Sequence, residues 1–247
     1  MKDDTKDFEM QCEKEIQAMV NDKELRKKSF DYLNLTAEYN YSYHFKWMGM
    51  PIIQCPQDVV AMQELVFDIK PDFIIETGVA RGGSIVFYAS MLELLNIKGK
   101  VISIDIDIRE HNRRRIEGHP MYKNICLVEG SSIDSGVIAK VDEIIKENNL
   151  KKGLVVLDSL HTHTHVLEEL RLYSKYVEKG SYLVVFDTVV EYLTEKNIGD
   201  RPWGKGDNPK TAVDEFLKEN DRFVVDEHIE SKLLITNCPS GYLKCVK

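Results

Sequence analysis

Asp158 and three histidines at alternate positions, His161, His163 and His165, lie within "LVVLDSLHTHTHVLEEL" (154–170). The aspartate closes an apolar run and the imidazoles follow where the chain turns toward a helix. Imidazole is the side chain that exchanges protons near neutral pH, and beside a carboxylate it suits general-base work. A second apolar run, "LVVFDT", ends in Asp187 and Thr188. Tips of adjacent parallel strands lie roughly 4.8 Å apart. Asp158 and Asp187 are therefore candidates to share a hard divalent cation such as Mg2+, with Thr188 completing an oxygen-rich set. His161, three residues past the first aspartate, would stand beside that ion and take the proton of a polarised hydroxyl. His163 and His165 are the further candidates for that base. A competing set joins Asp158 to His161 and His165, whose i, i+4 spacing suits zinc or non-haem iron in a metal-dependent oxygenase or hydrolase.

A glycine-rich loop supplies the second chemical feature. In "IIETGVARGGS" (74–84), Glu76 ends an apolar run, and Gly78, Arg81, Gly82, Gly83 and Ser84 follow it. Glycines let a strand turn sharply into a helix and let a ligand approach the backbone. The spacing is neither G-x-G-x-x-G nor a P-loop, so a nicotinamide dehydrogenase is the weaker reading. An acid at the mouth of such a loop suits a cationic or zwitterionic molecule, and S-adenosylmethionine, with an ammonium and a sulfonium, fits. A structural turn would use the same glycines. Asp105, ending "VISID", is placed to accept bonds from ribose hydroxyls. Ser131 and Ser132 in "EGSSIDS" are candidates for an adenine edge, or for the N-cap of the next helix. Asp158 also borders the expected cofactor. In "RPWGKGDNPK" (201–210), Trp203 offers a stacking face, and Arg201 and Asn208 offer polar contacts to a substrate.

These residues need elements to position them. Strand candidates are 73–77, 101–105, 125–129, 154–158 and 182–187, with helical stretches near 84–96, 108–117, 133–148 and 164–178 between them. Near-continuous Val/Ile/Leu runs alternating with helices indicate a parallel sheet covered on both faces. "FVVDEH" and "KLLITNCPSGYLKCV" follow without a full helix between them, so the reading is a C-terminal antiparallel hairpin closing one edge. The fold class expected is α/β, doubly wound and Rossmann-like. In such folds ligands sit beyond the carboxyl ends of the strands, where Glu76, Asp105, Asp158 and Asp187 gather. Residues 1–70 read as an N-terminal helical extension or cap and 71–247 as the binding domain. A Tyr/Trp-rich connection holding Pro51 and Pro56 joins them, with a helix beginning after Pro56.

Composition narrows the classes. At 247 residues, 43% hydrophobic and 30% charged, the chain has the make-up of a soluble globular protein. A net charge of −8 argues against a nucleic-acid partner, and the basic run Arg113–Arg115 reads as a solvated helix face. Five cysteines without a C-x-x-C pair read as reduced thiols. No signal-like start and no stretch of roughly 20 apolar residues is present, so a cytoplasmic location without membrane insertion is expected. The extension would cap the site or join two copies into a homo-oligomer.

"PDFIIETGVARGGSIVFYASMLELL", "VISIDIDIREHNR", "LDSLHTHTHVLEELRLYS" and "GSYLVVFDT", together with upstream "MGMPIIQCPQDVVAMQEL", resemble the cephalosporin hydroxylase family over about residues 40–190. That resemblance implies a class I S-adenosylmethionine-dependent methyltransferase fold. It also implies that Glu76, Gly78 and 81–84 line the methionine part of the cofactor, with Asp105 on the ribose. Some members hold magnesium through an aspartate matching Asp158 and a Glu-Asp pair at the later strand end, which here reads Phe186-Asp187. By spacing, Asp158 and Asp187-Thr188 are also similar to catechol O-methyltransferases, with His161 at the base position. The activity implied is methyl transfer to a sugar hydroxyl, on a nucleotide-linked sugar or a surface-polysaccharide precursor. A metal-dependent oxygenase or hydrolase and a non-catalytic nucleotide-sugar-binding module are the alternatives.

Overall fold

The computed structural model describes residues 4–247. It opens with two helices, α1 (Thr5–Asn21) and α2 (Lys23–Ala37), the second capped by Asp22, which accepts from the Leu25 amide. The Tyr/Trp-rich connection folds as a 3₁₀ turn (Tyr41–His44) and a small hairpin of β1 (Phe45–Trp47) and β2 (Met50–Ile52). Helix α3 (Pro56–Ile69) begins at the proline, whose missing N–H is harmless in a first turn.

Then the alternation starts: β3 (Phe73–Thr77), α4 (Gly83–Leu94), β4 (Lys100–Asp105), α5 (Glu110–Glu117), β5 (Ile125–Glu129), α6 (Ser135–Glu147), β6 (Gly153–Leu157), α7 (His163–Tyr173) and β7 (Tyr182–Val185). After short α8 (Glu195–Ile198) come α9 (Pro209–Glu219), β8 (Phe223–Val225), α10 (Glu227–Leu233) and β9 (Tyr242–Cys245). The seven main strands are ordered β5-β4-β3-β6-β7-β9-β8, with only β9 antiparallel to its neighbours. The doubly wound α/β class expected from the sequence is thus the class observed.

Side chains alternate across the sheet with a period of two. Ile74, Val101, Leu154 and Val184 enter one core with α3 and α4, whereas Phe73, Ile75, Ile102 and Leu183 enter the other with α6, α7 and α9. Both faces are dry, which is why the strands read as unbroken apolar runs.

Several boundaries differ from the sequence reading. The sixth and seventh strands stop at Leu157 and Val185, so Asp158 and Asp187 lie just beyond the tips. The last two strands pair antiparallel at the sheet edge as expected, but α10, which takes up Lys232 and Leu233, lies between them, and β9 slots between β7 and β8. The "NCPSG" turn, closed by a bond from the Gly241 amide to the Cys238 carbonyl, leads into β9 instead. The seventh helix ends at Tyr173, followed by a 3₁₀ turn. Asp134, not Ser131 or Ser132, caps α6, because its carboxylate reaches the Gly136 and Val137 amides. Arg113 pairs with Glu129 at 2.6 Å and Arg114 with Glu110, so that run is a paired, solvated face. No helix among the described residues is long and apolar enough to cross a membrane.

Candidate active site

The chain winds outward from β3 through β4 to β5, then restarts on the other side with β6. The crevice at the switch between β3 and β6 is where an open parallel sheet accepts a ligand. Gly78 leaves β3 there with φ +93°, and a Cβ would meet the Asp158 carbonyl oxygen at 2.0 Å. Only glycine allows that approach. Gly83, at the start of α4, packs so closely on β2 that a Cβ would lie 2.1 Å from the Pro51 carbonyl oxygen.

A cavity of about 620 Å³ opens over these tips, lined among others by Gly78, Asp105, Ser131, Ser132, Asp158 and His165. Asp105 is fixed from behind: Oδ2 accepts from the Val79 amide at 2.8 Å and Oδ1 from the Asp107 amide at 3.1 Å. A recess beside it, of about 30 Å³, is walled by Gln54, Gly78, Arg81, Ser84 and Asp158. The Arg81 guanidinium lies 3.4 Å from His111, and Gly82, at φ +81°, caps α4. Behind the recess Glu76 is fully buried. Its Oε2 accepts from the Ser84 hydroxyl at 2.9 Å, but Oε1 has no partner. Burial pushes the Glu76 carboxyl up to about 8, against the opposing effect of the Ser84 bond. Glu76 therefore does not line the opening as a free charge; it is a buried acceptor whose ionisation awaits a cation. The Gln54 amide is likewise buried without a partner. A zwitterionic ligand end fits this unsatisfied polar shell.

On the other side of Asp158 the chemistry concentrates. Asp158, His161 and Asp187 each offer a ligand atom, all within 4.8 Å of one another. His161 Nε2 lies 3.1 Å from Asp187 Oδ2, and the Trp203 ring stands edge-on to the imidazole at 4.9 Å between centroids. Asp187 itself sits at φ +56°, a left-handed conformation that aspartate tolerates better than most residues. Burial, then the charges of Asp187 and Glu76, hold the Asp158 carboxyl well above the usual carboxylate range. Two full negative charges at that separation repel by about 3 kcal/mol at an effective dielectric near 20, less once water screens the partly exposed Asp187. That repulsion is relieved when Asp158 keeps its proton or when a cation binds between the two carboxylates.

Other expected site residues are elsewhere. Thr188 is fully buried and its hydroxyl donates to the Pro239 carbonyl at 2.7 Å, so it is not free to complete a cation site, and His161 is the side chain that stands beside Asp158 and Asp187. His163 faces α9, with Nδ1 2.8 Å from Thr211 Oγ1 and Nε2 3.2 Å from Glu215, which removes it from the site. His165 reaches the floor of the cavity, but its Nε2 lies 3.1 Å from Ser132 Oγ and 3.4 Å from Glu169. It does not join Asp158 and His161, so the oxygenase-type set is not assembled. Asn208 is fully buried as the cap of α9, with its amide spent on Glu191 and the Gly204 carbonyl; it is not a surface contact. Arg201 and Trp203 do border a cavity.

Two residues had no sequence signal. Buried Glu169 accepts from Ser159 Oγ at 2.7 Å beneath the floor, yet in "LEEL" it reads as a surface helix residue. Asn237 borders both this cavity and the next one. It is held by Asp58, a buried carboxylate that also accepts from Thr236 and from the Tyr242 hydroxyl at 2.8 Å. Burial pushes Asp58 up to about 6.

Comparison with known proteins follows this geometry. Residues 39–246 match the family model described as Rhamnosyl O-methyltransferase/CmcI. The rhamnosyl O-methyltransferase of Mycobacterium tuberculosis is 29% identical over 202 residues, spanning 80% of this chain and 76% of the relative. That of Mycobacterium leprae is 28% identical over 202 residues, spanning 80% and 81%. Among solved structures, CmcI in its apo form superposes with a TM-score of 0.59 at 18% identity, covering 83% of this chain and 77% of that one. A CmcI chain with Mg and SAM gives 0.57 at 18% identity, covering 83% and 78%.

Proposed function

The chain belongs to the Rhamnosyl O-methyltransferase/CmcI family, and on that premise we propose that it is an S-adenosylmethionine-dependent O-methyltransferase acting on a sugar hydroxyl. The observation that carries this reading is the His161–Asp187 pair at 3.1 Å, which borders the strand-tip cavity on one side and a second cavity on the other. A proton acceptor standing between two binding spaces is what transfer between two bound molecules requires.

The residues fit the cofactor. Glu76, with its unpartnered Oε1, would hold the ammonium, Gly78 gives the close approach, and Asp105 would accept from the ribose. Ser131 and Ser132 would border the adenine. When bound, S-adenosylmethionine supplies an electrophilic methyl on a sulfonium, so the protein need only align the acceptor and remove one proton. His161 does the latter. With Nε2–H donated to Asp187, Nδ1 is left to take the hydroxyl proton, and Asp187 steadies the imidazolium that forms. Asp158 and Asp187, with His161 beside them, also fit a divalent cation, whose charge would relieve the two carboxylates and favour an alkoxide. The acceptor proposed is a small sugar or nucleotide-linked sugar.

The test is a panel of nucleotide sugars and simple glycosides incubated with methyl-labelled S-adenosylmethionine, with and without EDTA. Label in a sugar ether is the expected result; none on any sugar would contradict the assignment. Turnover lost with EDTA and restored by Mg2+ supports the cation, and turnover indifferent to EDTA removes it from the reaction.

A further inference from the structure

The second cavity, about 340 Å³, begins where the first ends, because His161, Asp187 and Asn237 border both. One wall is Val190, Leu193 and Ile198 from the segment after β7. The facing wall is α2, through Leu33, Thr36 and Ala37. Those α2 positions lie before residue 39, where the family match begins. We propose that this cavity binds the acceptor as a single sugar ring, and that α2, supplied by the N-terminal extension, is the wall that selects it. The inference rests on the sugar-methylation reading and adds where, and against what, the sugar lies.

Three observations carry it. First, the volume suits one ring with its substituents, since ligand pockets begin near 300 Å³, so a longer glycan must leave through the mouth. Second, the lining has the two characters of a pyranose. The aliphatic walls and the Trp203 and Tyr41 rings can cover the C–H face, while Asn40 and Arg201 border it with polar groups. The Arg201 Nη1 donates at 2.9 Å to the carbonyls of Asn197 and Ile198, leaving Nε and Nη2 for a ring oxygen. Third, the two walls are fastened together. The Asn34 side chain donates to the Tyr192 carbonyl at 3.0 Å and accepts from the Thr194 amide at 2.8 Å, and Asn197 donates to the Asn34 carbonyl at 2.8 Å. Phe30 stacks on Tyr192 at 4.6 Å. A helix needed only for solubility would not be keyed by four contacts into the segment that follows a catalytic aspartate.

The test fills the cavity from α2. Ala37→Trp, with Ala37→Leu as the milder filler, is compared with wild type by saturation-transfer NMR using methyl glycosides of the common hexoses and 6-deoxyhexoses, with and without S-adenosylhomocysteine. Expected are at least one glycoside bound by wild type, binding weakened about tenfold or more in Ala37→Trp and less in Ala37→Leu, and S-adenosylhomocysteine affinity unchanged within about twofold. Glycoside binding untouched by both fillers, or no glycoside bound by wild type, overturns the proposal. Labelled-methyl turnover separates the two readings. Glycosides that bind and are blocked by Ala37→Trp but are never methylated leave this site standing and remove the transferase reading. Sugars methylated with an unchanged KM in Ala37→Trp do the reverse.

Discussion

The rim at the strand tips and the wall across from it solve two different problems. The rim is built from residues next to one another in sequence: Glu76 and Gly78 two apart, Asp158 and His161 three apart. The strand tips that carry them are tied together by the parallel sheet, as by the bond from the Asp158 amide beyond β6 to the Thr77 carbonyl of β3 at 3.0 Å. The facing wall joins Ala37 to Ile198, more than 150 positions apart, through helix packing and the Asn34 bonds. A rim fixed by the buried sheet can hold one constant cofactor, whereas a wall held by a docked helix can change without disturbing it. Cofactor affinity and acceptor affinity should therefore fail independently.

The harshest test of that separation is His161→Ala. Turnover should drop by about 10²- to 10⁴-fold, the usual worth of a positioned base, while S-adenosylhomocysteine binding stays within about twofold of wild type. Matching losses in both would mean that proton removal and cofactor binding at the rim cannot be separated. Next is Gly78→Val, which puts a branched side chain at φ +93° against the Asp158 carbonyl. Cofactor affinity should weaken by about 100-fold in a calorimetric titration, with the thermal midpoint lowered as well.

A gentler probe uses pH. Glu76, raised to about 8 in the free protein, holds a proton that a cationic ligand must expel. S-adenosylhomocysteine affinity should therefore rise with pH, by about tenfold from 6.5 to 8 and little beyond, and Glu76→Gln should flatten the curve. The same raised pKa means that Glu76 favours the empty fold at low pH and loses that contribution as pH climbs from about 4.5 through 8. A slope unchanged in Glu76→Gln would separate Glu76 from the ammonium. Smallest is Arg201→Ala at the wall's mouth, where an exposed side chain with part of its donors committed should be worth about three- to tenfold in acceptor KM and nothing in cofactor affinity.

The same contrast explains how far the sequence could be read. Strands β3, β4 and β5 were legible almost to the residue, because burial on both faces leaves apolar runs bounded by glycine or acid. The clustering of Asp105, Asp158, His161 and Asp187 at the strand tips was legible because they lie at or just past the ends of apolar runs. Thr188, His163 and Asn208 were misplaced for one reason: each is a polar residue whose direction is decided by partners elsewhere in the chain, Pro239, Thr211 and Glu191. Glu169 and Asn237 left no trace, since a buried glutamate on a helix and a loop asparagine look like surface. The antiparallel pair closing the C-terminal edge was legible, but its connection was not, because "LLIT" has strand propensity, yet Lys232 and Leu233 close α10 and the rest forms the loop whose Thr236 and Asn237 bind Asp58.

The central claim is that one rim binds the cofactor through Asp105 and reacts through His161. Parallel calorimetric titrations of S-adenosylhomocysteine into wild type, Asp105→Ala and His161→Ala, each paired with labelled-methyl turnover, test it directly. The expected result is cofactor affinity at least about 30-fold weaker for Asp105→Ala, the worth of charge-assisted ribose bonds, and a His161→Ala protein that binds normally but does not turn over. Normal binding by Asp105→Ala, or sustained turnover by His161→Ala, would contradict it.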